Sequence, residues 1–170
     1  MRTFFVSLMV LLTLWAVRTL HRECPFHGDM NWIIPDKILA LASPTEDVYP
    51  IEEFIHFARQ NQINTMVRLN RPHYDSQIVQ NHGIRHVEMF MPDGGTPSWD
   101  QIGEFYQAAE AAWSTGAMAV HCRAGLGRTG TMIATFLIRK FALDASHVIA
   151  YLRMMRPGSV LGIQARFLHT

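Results

Sequence analysis

The chain has 170 residues, 49% of them apolar and 17% charged, which suits one folded domain with a substantial core and excludes a disordered chain. Fifteen Lys and Arg against fourteen Asp and Glu leave a formal net charge of +1, so no bulk attraction to nucleic acid follows and no nucleic-acid partner is expected. Two cysteines, Cys24 and Cys122, are too few for a disulfide framework or a four-thiolate zinc site, and a lone cysteine in a special context reads as a reactive thiol.

Residues 3–17 (TFFVSLMVLLTLWAV) form an uncharged run of 15, flanked by Arg2 and by Arg18, His21 and Arg22. A spanning helix needs about 20 apolar residues, with a lower limit near 17. Residues 1–24 therefore read as an apolar N-terminal helix, either a short membrane anchor or a core helix. A cleaved signal peptide fits less well, because no small-x-small site follows. Under the anchor reading the positive charge after the run places the body in the cytosol; otherwise the expected location is cytoplasmic or nuclear, which also suits a free thiol. His21, Cys24 and His27 have a spacing that can hold a metal, but no fourth ligand lies nearby, so no metal site is expected. Pro25 to Gly28 reads as a linker, and residues 25–170 as the folded body.

Trp32 to Ala42 reads as strand and turn with Pro35 at the bend. Ile51 to Gln60 carries Ile51, Phe54, Ile55 and Ala58 at helical spacing. Thr65 to Leu69 is a strand, Ser76 to Asn81 a short helix before Gly83, and Ile84 to Phe90 a strand. Ser98 caps a helix over Trp99 to Ser114, whose apolar face is Ile102, Phe105, Ala109 and Ala112; Gly116 ends it. Ala117 to His121 is a short apolar run, hence a buried strand. Thr129 to Ala142 is a helix on Ile133, Phe136, Leu137 and Phe141, and Asp144 opens another that stops at Arg156-Pro157-Gly158. Strands alternating with helices predict an α/β domain with a central, mostly parallel sheet flanked by helices.

The segment 121–130, HCRAGLGRTG, carries the chemistry. A buried strand ends at a cysteine, a five-residue loop follows, and an arginine opens a helix. Such a loop aims successive backbone N–H groups at one centre, and the helix terminus adds its dipole and orphan donors. Gly125 and Gly127 let the backbone approach a ligand closely, and Arg128 offers a planar fork for two phosphate oxygens. Arg123, Ala124, Gly125, Leu126, Gly127 and Arg128 are thus the expected phosphate cradle. Donors that bind phosphate also stabilise a thiolate, so Cys122 is expected to be a nucleophile aimed at phosphorus. A nucleotide P-loop is excluded, since G-x-x-x-x-G-K-[ST] does not occur.

This segment resembles the H-C-x5-R-[ST] signature of the cysteine-dependent protein phosphatases. Together with Asn31-Trp32-Ile33-Ile34-Pro35, Val67-Arg68-Leu69-Asn70, Tyr74-Asp75, Asp93-Gly94, Thr96-Pro97-Ser98 and Arg156-Pro157-Gly158-Ser159-Val160, it is most similar to the dual-specificity branch and the cell-division-cycle-fourteen phosphatases. The resemblance implies a single domain of protein-tyrosine-phosphatase type over about residues 28–168, no cofactor, phosphoprotein substrates and a phosphocysteine intermediate. It implies that Cys122 attacks phosphorus and that Arg128 and the loop amides bind its oxygens. It makes Asp93, between Pro92 and Pro97, the acid for the leaving group and then the base for water. It gives Thr129 a hydrogen bond to the sulfur, His121 the organisation of the loop, and Gln164 the placing of water. The second glutamine of that family pair is replaced here by Ala165, and a preceding proline by Ile163.

Inositide phosphatases resemble this chain but tend to carry two basic loop residues where it has only Arg123, with Leu126 apolar. Tyrosine-specific enzymes resemble it but are longer, with a deeper pocket. The expected activity is therefore hydrolysis of phosphoserine, phosphothreonine and phosphotyrosine in proteins. An inositide or other lipid phosphatase, and a catalytically weak phosphoprotein-binding module, are the alternatives. The family carries a second domain before the catalytic one; here the apolar segment stands in its place, and membrane association through residues 3–17 is the corresponding expectation.

Overall fold

The computed structural model describes residues 29–47 and 49–170. The apolar N-terminal segment, the linker at 25–28 and the His21, Cys24 and His27 cluster lie outside the described residues. Among the described residues no helix is long and apolar enough to cross a membrane.

Five strands form one sheet: β1 (Met30–Ile34), β2 (Ile38–Leu41), β3 (Ile63–Arg68), β4 (Arg85–Glu88) and β5 (Ala117–His121), in the order β1-β2-β5-β3-β4. Only β1 is antiparallel to its neighbour, so the sheet is mostly parallel as expected. The helices are α1 (Ile51–Gln60), α2 (Ser76–Gln80), α3 (Trp99–Thr115), α4 (Gly127–Phe141), α5 (Ala145–Met155) and α6 (Ile163–Phe167). Period-two alternation sorts the strands' side chains into two cores. Leu39, Leu41, Met66, Ala117 and Ala119 pack with Phe54, Ile55 and Ala58 of α1 and Val79 of α2. Ile38, Ala40, Val67, Met118 and Val120 pack on the other face with Phe105, Phe136 and Leu152 of α3, α4 and α5. Covered on both sides, β5 is buried at every position, which is why AMAVH reads as a continuous apolar run.

Local signals place several boundaries. Ser98 and Gln101 form a reciprocal capping box at the start of α3. Asp144 caps α5 by accepting from the Ser146 N–H. On α3 the fully buried stripe is Phe105, Ala108, Ala109 and Ala112, with Ile102 only half-buried. The stretch from Trp32 to Ala42 resolves into a hairpin, β1 and β2, whose turn puts Asp36 at φ 60. The strand expected from Thr65 starts at Ile63, and α4 starts at Gly127, so Arg128 stands in its first turn. The short α6 was not anticipated; five residues after a glycine give too little periodicity to declare a helix.

The chain leaves β3 through α2 to the edge strand β4, then returns through α3 to lay β5 between β2 and β3. The loop after β5 therefore opens at the carboxyl ends of the parallel strands, where ligands bind in open α/β sheets.

Candidate active site

Cys122 follows the last residue of β5, and α4 begins five residues later. The loop between them is pinned to the body by backbone contacts. The Ser43 N–H donates to the Arg123 carbonyl at 2.9 Å, and the Leu69 N–H donates to the His121 carbonyl at 2.9 Å. Gly125 has φ +66 and lies so close to β2 that a Cβ there would sit 2.1 Å from the Leu41 carbonyl oxygen. Only glycine fits that position. The first residue before α4, Leu126, supplies no side-chain cap, so the helix leaves its N-terminal donors to the loop.

Cys122 is a free thiol and is buried. Burial pushes its pKa up, but the Thr129 hydroxyl, the Thr129 N–H, the positive charge of Arg128 and the Gly125 N–H together outweigh burial and hold it below the ordinary thiol value. The thiolate form therefore persists at pH values where an exposed cysteine is protonated. Because the Thr129 hydroxyl leads the lowering interactions, Thr129→Val is expected to move the midpoint of Cys122 alkylation by iodoacetamide to higher pH. A pH series of inactivation rates measures this; an unmoved midpoint would show that the hydroxyl does not act on the sulfur.

Arg128 is buried, and its guanidinium ties the loop to the Asp93 segment. One terminal nitrogen donates to the Met91 carbonyl at 3.0 Å, and the other lies 2.9 Å from Asp93 Oδ1. Its Nε is buried with no hydrogen-bond partner among the described residues, a donor suited to a phosphoryl oxygen. The Asp93 side chain itself is 81% exposed. Of the other expected cradle residues, Arg123 and Ala124 are exposed and Leu126 and Gly127 half-buried. The structure thus brings Cys122, Arg128, Thr129 and Asp93 together.

His121 is wholly buried. Its Nδ1 lies 3.1 Å from the Cys122 carbonyl oxygen, which can only accept, so Nδ1 carries the proton. Nε2 then accepts from the Tyr74 hydroxyl at 2.7 Å, and the Tyr74 oxygen accepts in turn from His86 Nε2 at 2.9 Å. Burial lowers the His121 pKa to about 3, so that ring is neutral at physiological pH; burial lowers His86 to about 4 against the pull of the Glu88 carboxylate, 3.2 Å from its Nδ1. The neutral His121 ring thus links the Cys122 carbonyl to the Tyr74 hydroxyl. Arg68 closes the chain of contacts by pairing with Glu88 and donating to the Tyr74 carbonyl at 2.8 Å.

Arg156 is the residue that local sequence reasoning missed. The Arg156-Pro157-Gly158 turn signalled the end of α5 and a share of the family resemblance, with no role for the Arg156 side chain. In the fold its side chain is 3% exposed and braces the loop from behind. Nε donates to the Gly125 carbonyl at 2.7 Å and a terminal nitrogen to the Ala124 carbonyl at 2.9 Å. The other terminal nitrogen reaches Asn31 Oδ1 at 2.6 Å and Asp29 Oδ1 at 2.8 Å. Holding those carbonyls outward leaves the N–H side of the loop facing the ligand. The Arg before Pro-Gly was the available signal, but its target lies 31 and 32 residues away. Gln164, expected near the site, is there: it is buried and bonded to the carbonyl of Gly95.

Comparison with known proteins agrees with this geometry. Residues 42–142, more than half of the chain, match the family described as "Polymorphic toxin system, DSP-PTPase phosphatase". The chain is 40% identical over 156 residues to the Dual specificity protein phosphatase CDC14B of Mus musculus, covering 87% of this chain and 32% of that one. It is 41% identical over 155 residues to the Tyrosine-protein phosphatase CDC14 homolog of Schizosaccharomyces pombe, covering 84% and 29%. It thus spans about a third of the length of these relatives. The crystal structure of Tk-PTP in the active form superposes with a TM-score of 0.71 at 22% identity, covering 82% of this chain and 92% of that one, a likeness of fold.

Proposed function

This chain belongs to the DSP-PTPase phosphatases, and from that membership we propose that it hydrolyses phosphoserine, phosphothreonine and phosphotyrosine esters in proteins through a phosphocysteine intermediate. The observation that carries the reading is a buried Cys122 thiol held below its ordinary value, with Arg128 Nε and Thr129 Oγ1 buried and without a hydrogen-bond partner among the described residues and the Asp93 carboxylate 2.9 Å from the Arg128 guanidinium.

In the first step the Cys122 thiolate attacks phosphorus, the S–P bond forms and the ester P–O bond breaks. Arg128 and the loop amides hold the equatorial oxygens, the interaction expected to contribute most. The leaving alkoxide or phenolate takes its proton from Asp93. In the second step water gives a proton to the Asp93 carboxylate and its oxygen attacks phosphorus. The S–P bond breaks, the Thr129 hydroxyl steadies the departing sulfur, and inorganic phosphate leaves with the thiolate regenerated. His121 orients the loop throughout.

Protein esters are favoured over inositides because Arg123 is the loop's only basic residue besides Arg128, one counter-charge short for a multiply phosphorylated ring. Residues 25–170 are assigned to this catalytic unit. A reducing compartment, cytosol or nucleus, suits it because the nucleophile must stay a thiol; membrane association through residues 3–17 would tether it there.

The test is rapid-quench mass spectrometry with phosphopeptides carrying each of the three acceptors, beside inositide vesicles. The expected result is a phosphoryl group on the Cys122 peptide with the phosphopeptides. Ester cleavage without that adduct, or turnover confined to inositides, would overturn the reading.

A further inference from the structure

Gln164 stands near the start of α6, 1% exposed, and its amide is committed at both ends to backbone. Nε2 donates to the Gly95 carbonyl at 2.9 Å, across 69 residues of chain. Oε1 accepts from the Leu161 N–H at 3.1 Å. Gly95 in turn closes the bend that presents Asp93, its N–H donating to the Pro92 carbonyl at 3.0 Å. On the other side of Asp93, the Met91 carbonyl is held by Arg128 at 3.0 Å. The acid segment is therefore fastened at two carbonyls that flank Asp93, one by the phosphate-loop arginine and one by Gln164. The first turn of α4 sets the place of the amide: a Cβ on Gly127 would come within 2.8 Å of Gln164 Oε1 and 3.4 Å of Nε2.

We infer that Gln164 is a positioning residue that latches the Asp93 segment over the phosphate loop, and so governs how much of the time Asp93 stands within reach of the leaving oxygen. The inference rests on the acid–base role proposed for Asp93. It differs from direct placement of water in acting through the backbone, since the amide ties the acid segment at Gly95 to the turn at Leu161. A segment held by few contacts alternates between docked and undocked forms. One neutral hydrogen bond of this kind shifts such a balance by about five- to tenfold.

The test uses Gln164→Met, which keeps the volume and removes both polar ends, in the wild-type and Asp93→Asn backgrounds. Formation and decay of phosphocysteine are followed by rapid quench with a phosphoserine peptide and with p-nitrophenyl phosphate. Phosphorylation by the peptide, whose alkoxide needs a proton, is expected to slow about five- to tenfold. Phosphorylation by p-nitrophenyl phosphate, whose phenolate leaves unaided, is expected to change by less than about twofold. In the Asp93→Asn background Gln164→Met is expected to add nothing to either step. Gln164→Asn, which keeps the amide but is one methylene too short to reach both Gly95 and Leu161, is expected to show the same dependence on leaving group and serves if Gln164→Met folds poorly. Equal loss with both substrates, or a loss that persists in full in the Asp93→Asn background, would overturn the latch; a slowed decay of phosphocysteine there would return Gln164 to placing water. A wild-type protein that never forms phosphocysteine would remove the function proposed above and this inference with it, and that result is read before any variant is compared.

Discussion

Cys122→Ser is expected to cut turnover by more than about 10⁴-fold while leaving phosphopeptide binding intact. The fall corresponds to more than about 5 kcal/mol of transition-state stabilisation. Its source is the nucleophile. The donors that hold Cys122 below the ordinary thiol value act on a group whose starting value is within reach, whereas a serine hydroxyl under the same donors stays protonated. Binding survives because Arg128, the loop amides and the brace from Arg156 are untouched, and because replacing a thiolate by a neutral hydroxyl removes a negative charge that faces the phosphate. Steady-state assay with p-nitrophenyl phosphate and calorimetric titration with a phosphopeptide measure the two halves. A variant keeping a tenth of wild-type turnover would end the covalent account.

Asp93→Asn is expected to lower kcat/KM, which reports the phosphorylation step, by about 10²- to 10³-fold for a phosphoserine peptide and by less than about tenfold for p-nitrophenyl phosphate. Asparagine keeps the size of the side chain and a carbonyl oxygen that can accept from Arg128, whose nitrogen lies 2.9 Å from Asp93 Oδ1. It cannot deliver a proton to an alkoxide or take one from water. The exposure of Asp93 makes a folding effect small, since it is 81% exposed and its one ion pair reaches a buried partner that keeps its bond to Met91. A plot of rate against leaving-group basicity, steeper in the variant, is the measurement. Equal losses along the series would assign Asp93 to holding the loop and take the acid role away from it.

The two predictions draw on different kinds of information. The chemistry of Cys122 was legible because its environment is almost contiguous: strand, loop, arginine, hydroxyl and helix start all fall within residues 117–129, and backbone geometry over so short a span is set by local preference. The Ser98 and Asp144 caps were legible for the same reason, each being a bond to an N–H two or three residues on. Asp93 was reached only through family likeness, since an aspartate before glycine is also an ordinary turn residue.

Other parts left no local trace. Tyr74 meets His121 across 47 residues, and Arg156 meets Asn31 across 125. Nothing in the spacing of those residues names the partner. The contact between Gln164 and Gly95 is of this type too, joining residues 69 apart in the chain.

The sequence by itself determined that a cysteine at the end of a buried strand and an arginine at a helix start flank one loop, that helices alternate with mostly parallel strands, and that the net charge is only +1. Tertiary structure alone decided that β5 lies between β2 and β3, which brings the tails of those strands, the turn after α5 and the acid segment around the loop. The physical reason is that hydrogen bonds within a turn depend on a few neighbouring dihedral angles, whereas contacts between distant segments depend on the order in which strands pair, and that order is set by burial of both faces of the whole sheet.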